Sequence, residues 1–376
     1  MKIRKGLIFL SDILISGYYG FKNSGDDALL LAIVRDLKKY KSDVKVEVLS
    51  KTPKETAEIY GVKAINRMNP FAVFGAIVRC RLLLSGGGTL IQDGTSTKSL
   101  LYYLTIIKTA HFFGKKVMLY SNGIGPLRDE HKKITKKVLN KADVITLRDE
   151  ASLRELKALG VDKPETVLTA DPAFDIACGT NADELLNGLG IMKGEKYVCV
   201  SIRNRKNKED GFCAETAKTM DYLVQKYGYK ILFLPMQPEK DGKITKKIQK
   251  MMKEESVCLE RKNGISDITA VISKAEFCIG MRLHSLIYAV GAGVPAIGLV
   301  YDAKVAGFMD YINQRYYLDA DGLTAEKLIA MSNDCIENLD KIKKEIEDNL
   351  VWLREKAESN AKYATELLDR KGRKRG

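Results

Sequence analysis

The sequence predicts an α/β protein made of two similar Rossmann-like units followed by a helical C-terminal end. Three observations support this fold class. Short apolar runs alternate with longer helical patterns along most of the chain, which is typical of parallel α/β architecture. One stretch, residues 171–195, is rich in Gly, Asn and Asp and interrupts the alternation. The length of 376 residues also exceeds what one hydrophobic core usually serves.

The first half of the chain is expected to alternate five strands with helices. The strands are predicted at Ile13–Ser16, Val44–Ser50, Leu82–Ser85, Lys116–Ser121 and Asp143–Leu147. The helices are predicted at Asp26–Lys39, Thr97–Phe113, Glu130–Lys141 and Glu150–Leu159. Gly160 follows the last of these helices and is placed to end it as a C-terminal glycine.

The second half repeats the alternation. Its strands are predicted at Tyr197–Ile202, Lys230–Leu234, Phe277–Gly280 and Ala296–Val300. Its helices are predicted at Cys213–Tyr227, Lys243–Lys253, Ile265–Lys274, Leu283–Ala292 and Lys304–Ile312, and Thr324–Arg370 is expected to hold at least two more. We therefore expect domains at 1–175 and 176–340 and a C-terminal helix with a basic tail at 341–376. The two domains should face each other across a cleft at the carboxyl ends of their strands.

The net positive charge of the chain favours anionic partners but does not show which kind of anion binds. The chain has 62 Lys and Arg against 48 Asp and Glu, a formal charge of +14, which favours polyanions, acidic membrane surfaces or small anionic substrates. Most basic residues are interleaved with acids, as on a solvated helix face. The tail at 370–375 is nearly pure positive charge; it can touch anionic lipid or serve only as a solubilising end.

Cysteine and apolar patterns favour a cytoplasmic protein. Seven scattered cysteines without a Cys-x-x-Cys pair, together with three histidines, suit neither a disulfide framework nor a zinc site. The apolar start imitates a signal peptide, but Asp12 interrupts it and a first buried strand is the preferred interpretation. No stretch reaches the roughly 20 apolar residues that span a bilayer.

Two glycine-rich loops are predicted after strands of the first half. The loop at 17–28 contains Tyr18, Tyr19, Asn23, Asp26 and Asp27. A strand-to-helix turn with Asp26 as N-cap explains one aspartate but not the adjacent tyrosines and asparagine, so a ligand role is favoured.

The second glycine-rich loop, at 85–93, contains Gly86, Gly87 and Gly88. A simple turn needs only one glycine, so three indicate close approach of a ligand. The segment is not a P-loop, because no Gly-Lys-Ser/Thr follows at the required distance.

Cationic side chains follow three other predicted strands. Arg148 stands where a strand meets its helix, although a surface arginine paired with Asp149 or Glu150 is an equal alternative. Arg282 and His284 follow the strand that ends at Gly280, and Lys304 follows the next strand. A lone histidine on an apolar face is usually a core residue, but the neighbouring arginine at a strand–helix junction favours function. The pattern Gly-x-Gly-x-x-Ala at 291–296 precedes a strand and contains Pro295, so a dinucleotide site is rejected.

These segments, taken in order, resemble the polysaccharide pyruvyl transferase family, in particular its cell-wall pyruvylating members. The matching segments are the 17–27 loop, Ser85-Gly86-Gly87-Gly88, Gly123-Ile124-Gly125-Pro126, Arg148-Asp149, Asp171-Pro172 and Gly280-Met281-Arg282-Leu283-His284-Ser285. The extension before Asp12 departs from the family pattern. The resemblance implies a GT-B-like arrangement of two facing Rossmann-like domains, phosphoenolpyruvate as donor, and no metal or nucleotide cofactor.

The resemblance also implies site residues. Arg148, His284 and Lys304 are expected to form the core of the phosphoenolpyruvate site, with Arg282 adjoining. These cations suit a carboxylate and a phosphate. His284 titrates near neutrality and can protonate the enol methylene or bind phosphate. Tyr18 or Tyr19 should stack on the acceptor sugar; Asn23, Asp26 and the backbone of Gly86–Gly88 should bind its hydroxyls; and Asp26 or Asp27 is the candidate base.

The expected acceptor is an undecaprenyl-diphosphate-linked saccharide containing N-acetylmannosamine, reached through peripheral contact with an anionic membrane and without nucleic acid. Two other functions stay open. A GT-B glycosyltransferase using a nucleotide-sugar would share the fold, and Asp302-x7-Asp310 faintly resembles its ribose-reading pattern. A non-catalytic protein that binds anionic glycan or lipid would share the charge and would bind less as salt increases.

Overall fold

The computed structural model of the protein describes residues 11–94, 96–204, 209–259 and 264–370. The chain divides into two compact units. The first comprises Met1–Pro172 with Leu353–Gly376, and the second comprises Ala173–Trp352. The last helix therefore begins in the second unit and ends in the first.

The first unit contains a seven-stranded parallel sheet with the order β3-β2-β1-β4-β5-β6-β7. Its strands are β1 Ile13–Tyr19, β2 Val46–Ser50, β3 Lys63–Asn66, β4 Leu82–Ile91, β5 Lys116–Ile124, β6 Val144–Leu147 and β7 Glu165–Leu168. Its helices are α1 Ser24–Tyr40, α2 Pro53–Tyr60, α3 Pro70–Arg79, α4 Thr97–Phe112, α5 Asp129–Leu139 and α6 Glu150–Ala158.

Both faces of this sheet are covered, which is why its central strands are apolar throughout. Leu83 and Leu119 pack on one side with residues of α3 to α6. Leu82 and Leu84, which point the other way because strand side chains alternate, pack with α1 and with the end of the last helix. The residues on that last helix are Ala361, Ala364, Leu367 and Leu368.

The second unit contains a six-stranded parallel sheet with the order β10-β9-β8-β11-β12-β13. After a 3₁₀ turn at Pro172–Asp175 come α7 Ala182–Gly188, β8 Tyr197–Ser201, α8 Glu209–Tyr227, β9 Lys230–Phe233, α9 Pro238–Met251 and β10 Val257–Cys258. They are followed by α10 Ile265–Ile272, β11 Phe277–Gly280, α11 Leu283–Gly291, β12 Ala296–Val300, α12 Ala303–Tyr311, β13 Tyr317–Asp319, α13 Ala325–Glu337 and α14 Leu339–Asp369.

The predicted fold class is confirmed: two parallel α/β sheets are followed by a helical end. Gly160 ends α6 as predicted, with φ of 70° and its N–H bonded to the Lys157 carbonyl. The Gly-x-Gly-x-x-Ala pattern precedes β12, so rejecting it was correct. The apolar segment before Ser11 and the tail after Arg370 lie outside the described residues. Within the described part of the chain, no helix is long and apolar enough to cross a membrane.

Three boundaries differ from the prediction in ways that matter for the site. β1 continues to Tyr19 and β4 continues to Ile91, so much of both predicted glycine loops is strand. α1 begins at Ser24 with Asn23 as N-cap, whose Oδ1 accepts from the Gly25 N–H at 3.4 Å; Asp26 is inside the first turn.

Candidate active site

Ligands of open parallel sheets bind at the carboxyl edge, where neighbouring strands connect in opposite directions. In the first sheet this point lies between β1 and β4, and in the second it lies between β8 and β11. Every residue predicted from the sequence lies within or after the carboxyl-terminal part of a strand. The two edges are described separately below.

Asp26 is a strongly perturbed carboxylate at the edge of the first sheet. Its pKa is raised to about 7, chiefly by burial and then by the charge of Asp27, while the charge of Arg148 and a hydrogen bond from Asn23 lower it. A Cβ built on Gly88 would lie 3.3 Å from Asp26 Oδ1, so the β4 backbone passes close to the carboxyl. A carboxyl that titrates near 7 is suited to proton transfer at neutral pH.

Asp27 has a different environment. Its pKa is also raised to about 7, first by burial and then by the charge of Glu55. Its side chain hydrogen-bonds to Tyr60 of α2, which lowers that pKa in part. Asp27 is therefore engaged between two helices, and Asp26 is the better candidate for the base.

The two tyrosines that were predicted to stack on a sugar differ in burial and in their contacts. Tyr19 is buried, and its hydroxyl donates to the Gly86 carbonyl at 2.6 Å, so the proposed sugar-stacking role of Tyr19 is wrong. Tyr18 is half-buried and stacks on Phe21, with ring centroids 4.0 Å apart and planes 7° from parallel. Alternation along β1 places one tyrosine in the core and the other at the rim.

Arg67 is a residue of this edge that the sequence did not reveal. Its Nη1 donates to the Gly17 carbonyl at 2.5 Å. Its guanidinium lies over the rings of Tyr102, at 4.5 Å, and of Phe21, at 5.1 Å. Flat aromatic and guanidinium surfaces of this kind are suited to packing against a sugar ring. The 35 positions between Arg67 and Tyr102 hide the contact in the sequence.

The three glycines of β4 are explained by packing. A Cβ on Gly86 would lie 2.8 Å from Ile15 Cγ2, and one on Gly87 would lie 2.9 Å from Leu29 Cδ1. Gly87 and Gly88 also have φ of 68° and 72°, which disfavours other residues. Packing therefore explains why Gly86 and Gly87 are glycines, and the expected contact of their backbone with an acceptor stays a prediction; Gly88 adjoins Asp26.

Arg148 is buried within the first unit and is held by acidic and hydroxyl groups. Its Nη1 lies 2.9 Å from Asp171 Oδ2, its Nη2 donates to Thr89 Oγ1 at 3.0 Å, and its Nε lies 3.6 Å from Asp149 Oδ2. Arg148 therefore has two carboxylates close by that compete with an anionic ligand. The same charge acts on Asp26, so the structure brings Arg148 and Asp26 together.

Arg282 stands at the edge of the second sheet, directly after β11. Its Nε donates to Asp241 Oδ2 at 3.0 Å and its Nη2 to Asp241 Oδ1 at 2.5 Å. Asp241 is fully buried and also accepts from the Gln237 N–H at 2.9 Å. This two-point ion pair fixes the plane of the guanidinium, and its acidic partner was not predicted.

Lys304 belongs to a group of cations around Tyr301. Lys304 Nζ lies 5.6 Å from the ring centroid of Tyr301 and 3.2 Å from Asp302 Oδ2. Arg203, which follows β8, donates to the Tyr301 hydroxyl at 2.7 Å and lies over the same ring at 4.7 Å. Arg203 was not predicted, because nothing in the local sequence distinguishes it from other basic residues.

His284 lies in the first turn of α11 and is half-buried, with its ring 6.1 Å from that of Tyr288. β11 and β12 pair in register, Gly280 beside Gly298, so His284, Arg282 and Lys304 follow adjacent strand ends. The structure thus places these three at one edge. Arg148 belongs to the other unit, and its inclusion in the same donor site stays a prediction.

A second histidine, His131, also lies at the carboxyl edge of the first sheet. His131 Nδ1 lies 2.5 Å from Oδ2 of Asp93, which follows β4. Burial alone would raise the pKa of Asp93, but the hydrogen bonds from His131 and the Arg128 N–H bring it below its ordinary value. The 38 positions between the partners conceal the pair in the sequence.

No metal-binding group is found in the described residues, which are 11–94, 96–204, 209–259 and 264–370. These residues contain no cluster of three or more His, Cys, Asp or Glu side chains that could hold a metal ion. The polar groups at the two edges are instead those of proton transfer and anion binding.

Comparison with known proteins decides the family. A model of the polysaccharide pyruvyl transferase family matches residues 23–303, three quarters of the chain. The chain belongs to this family. It is also 20% identical over 395 residues to the amylovoran biosynthesis protein AmsJ of Erwinia amylovora, an alignment that covers 89% of this chain and 94% of that protein. This pyruvyl transferase family member is thus related to a protein of polysaccharide biosynthesis.

Solved structures of other proteins have the same fold as this family member. A glycosyltransferase from Rickettsia africae ESF-5 superposes with a TM-score of 0.63 at 10% identity, covering 96% of this chain and 100% of that one. A putative UDP-N-acetylglucosamine 2-epimerase from Listeria monocytogenes superposes with a TM-score of 0.66 at 13% sequence identity. The superposition covers 97% of this chain and 99% of that one. Anabaena HepE in complex with UDP and glucose superposes with a TM-score of 0.64 at 12% sequence identity, covering 95% of this chain and 99% of that one. These likenesses establish the fold.

Proposed function

We propose that this protein transfers the pyruvyl group of phosphoenolpyruvate onto a sugar, forming a pyruvate ketal and releasing phosphate. The proposed acceptor is a polysaccharide precursor, an undecaprenyl-diphosphate-linked saccharide containing N-acetylmannosamine. Family membership supports the transfer. The relation to a protein named for amylovoran biosynthesis supports a polysaccharide product.

The observation that carries the donor assignment is the gathering of cations at the edge of the second sheet. Arg203, Arg282 and Lys304 follow three neighbouring strands, β8, β11 and β12. Phosphoenolpyruvate has a carboxylate and a phosphate on three carbons, so it needs several cations close together. Asp241 and Asp302 hold two of these cations in place, which reduces the entropy lost when an anion binds. The first backbone N–H groups of α11 and α12 open at the same edge.

The chemistry follows from the residue types at the two edges. In the proposal, His284 gives a proton to the enol methylene, which becomes the methyl group, and positive charge develops at C2. A sugar hydroxyl adds to C2 and gives its proton to Asp26. The bond between C2 and the phosphate oxygen then breaks, with its electron pair leaving on phosphate. A second hydroxyl adds to C2 to close the ring and gives its proton to the departing phosphate, while the proton taken by Asp26 replaces, through solvent, the one that His284 gave up. One phosphoenolpyruvate and one sugar diol thus yield one ketal and one phosphate.

The acceptor assignment rests on the first unit. Asp26 has a pKa of about 7 and is therefore partly deprotonated at neutral pH. The half-buried Tyr18–Phe21 stack and the Arg67–Tyr102 contact provide flat surfaces near the end of β1. We assign Arg148 to the phosphoenolpyruvate site on the family resemblance. Its contacts with Asp171 and Thr89 would hold the guanidinium in position for that task.

The direct test supplies the purified protein with phosphoenolpyruvate or with a UDP-sugar, each with and without a short-chain polyprenyl-diphosphate saccharide that contains N-acetylmannosamine. We expect phosphate release from phosphoenolpyruvate that requires the acceptor, and a product whose mass has increased by a pyruvate ketal. Release of UDP together with glycosyl transfer would instead identify a nucleotide-sugar glycosyltransferase. Binding of the saccharide without either reaction would favour a non-catalytic glycan-binding protein.

A further inference from the structure

Four of the 11 phenylalanines lie together on the outside of α3 and α4. Phe71 is 87% exposed and Phe112 is 72% exposed, and Phe74 and Phe113 are exposed as well. Phe74 packs edge-on against Phe113, with ring centroids 5.3 Å apart, and Phe113 packs in the same way against Phe112 at 5.2 Å. We call these four residues the aromatic surface. Phenylalanine is normally buried, so a contiguous exposed group marks an interaction surface.

The chain around the aromatic surface is almost free of negative charge. Residues 59–128 contain nine Lys or Arg and a single acidic residue, Asp93. That carboxylate is buried and accepts hydrogen bonds from His131 and the Arg128 N–H. The segment that builds α3 and α4 is therefore basic as well as aromatic.

Specific cations border the rings. Lys108 is exposed one helical turn before Phe112 on α4, so the two share a face. Lys115 Nζ donates to the carbonyl of Val78, in the last turn of α3, at 2.6 Å. A Cβ built on Gly75 would lie 2.8 Å from Arg79 Nη1, so the Arg79 guanidinium lies along α3 beside the residue that follows Phe74.

The end of α14 lies on the face of the sheet opposite α3 and α4, and it approaches their border at the start of β5. Lys116, the neighbour of Lys115, donates through Nζ to the carbonyls of Leu367 at 2.7 Å and Leu368 at 3.1 Å, and also to that of Arg370. The six residues after Arg370 contain four more Lys or Arg and no acid. Basic residues therefore lie beside the last described residues as well as at the border of the aromatic surface.

These observations choose between two kinds of occupant. A second copy of the chain would bring two basic borders together, and like charges oppose such contact. An anionic lipid bilayer satisfies both features at once, because aromatic rings enter the interfacial region while Lys and Arg attract acidic headgroups. We propose that the aromatic surface docks the protein onto an anionic membrane. This inference goes beyond the proposed function and does not depend on the reaction or its acceptor.

The test measures binding to vesicles in the absence of phosphoenolpyruvate and acceptor. Co-sedimentation is compared for vesicles of phosphatidylcholine alone and of phosphatidylcholine mixed with phosphatidylglycerol, at low and high salt. We expect the full chain to bind the mixed vesicles preferentially and to bind less as salt increases. The affinity of the double variant Phe71→Ser, Phe112→Ser for these vesicles should be lower by a factor of about ten or more.

Matched controls separate the surface from general hydrophobicity. Met192→Ser with Val351→Ser removes two apolar side chains of the second unit that are 56% and 66% exposed, and this variant should bind like the unmodified protein. Both double variants should keep the circular dichroism spectrum of the unmodified protein, because the substituted side chains are exposed. Phosphate release with a soluble acceptor analogue should also be unchanged, so that a failed docking proposal and a failed pyruvyl transfer give different results.

Three outcomes would overturn the proposal. The first is undiminished vesicle binding by the Phe71→Ser, Phe112→Ser variant. The second is that the double phenylalanine variant still binds the vesicles, whereas a variant with the four basic residues of the tail changed to serine does not. Those four residues are Lys371, Arg373, Lys374 and Arg375. The third is sedimentation of the unmodified chain as a dimer that the double phenylalanine variant converts to monomer, which would identify a second copy as the occupant.

Discussion

At the carboxyl edge of the first sheet the perturbed groups are carboxylates, whereas the corresponding edge of the second sheet gathers two arginines, a lysine and a histidine. Both sheets continue from the same core order, in which the first strand lies between the second and the fourth. The backbone plan is therefore shared, and the difference in chemistry comes from the side chains that follow each strand. In our proposal the first edge takes a proton from a neutral sugar, and the second binds an anion and protonates its enol methylene through His284.

The two edges nevertheless position arginine in the same way. Arg148 is held by Asp171 and Arg282 by Asp241, and in each pair the carboxylate is buried and distant in sequence. A buried arginine that lost its acid would be left with an uncompensated charge. The acids therefore fix where each guanidinium points. Substitutions at each edge should therefore separate a base at the first edge from an acid and its anion-binding cations at the second.

The largest expected effect is on the first edge. Replacing Asp26 by Asn should lower kcat by about 10²- to 10⁴-fold, because the base that accepts the hydroxyl proton is removed. The activity of the unmodified enzyme should rise with pH along an acid limb centred at about 7, since Asp26 acts when deprotonated and its pKa is about 7, and should fall again at high pH, where His284 no longer carries the proton that it donates. Steady-state phosphate release from pH 5 to 9 measures both quantities.

Asp27→Asn is the matched control for this prediction, because Asp27 has a similarly raised pKa but hydrogen-bonds to Tyr60. That variant should keep the acid limb of the pH profile. If Asp27→Asn removes the limb and Asp26→Asn preserves it, the assignment of the base is reversed.

The next effect is on the second edge. Replacing His284 by Gln should lower kcat by about 10²-fold, because glutamine can hydrogen-bond to phosphate but cannot give up a proton to carbon. His131→Gln is the control, since His131 is paired with Asp93 in the first unit. A variant with raised KM for phosphoenolpyruvate and unchanged kcat would assign His284 to phosphate binding only.

The smallest effect compares two acids within the second edge. Asp241→Asn should reduce the free energy of unfolding by about 2 kcal/mol, somewhat below the usual loss for a buried pair because Arg282 keeps some contact with water. Asp302→Asn, whose pair with Lys304 is partly exposed, should change it by less than about 1 kcal/mol. Urea unfolding followed by circular dichroism measures both, and equal losses would contradict the special role of Asp241.

The regular parts of the fold could be predicted because buried parallel strands are short, continuous apolar runs. β11 and β12 match their predicted bounds, Phe277–Gly280 and Ala296–Val300, for this reason. The edge strands β3 and β7 were not predicted, because their partly exposed residues form no apolar run. Ends of strands were also placed too early, since the glycines of β4 suggested a loop although they pair with β5.

For the candidate site, the sequence identified the charged residues that follow strands but not their partners. Asp171, Asp241 and Asp93 lie 23, 41 and 38 positions from the side chains they hold, and no local pattern reveals contacts over such separations. The difference between Tyr18 and Tyr19 likewise depended on where β1 ends. Because β1 continues to Tyr19, the two adjacent tyrosines alternate, and only one of them faces the core.

The course of α14 has a consequence for how the protein is made. The second unit is inserted between Pro172 and Leu353 of the first, and Ala361, Ala364, Leu367 and Leu368 supply part of the first unit's core. A ribosome therefore exposes the whole of the inserted unit before it releases the residues that complete the earlier one. The part of the chain that is synthesised first can therefore finish folding only after the whole inserted unit has been synthesised.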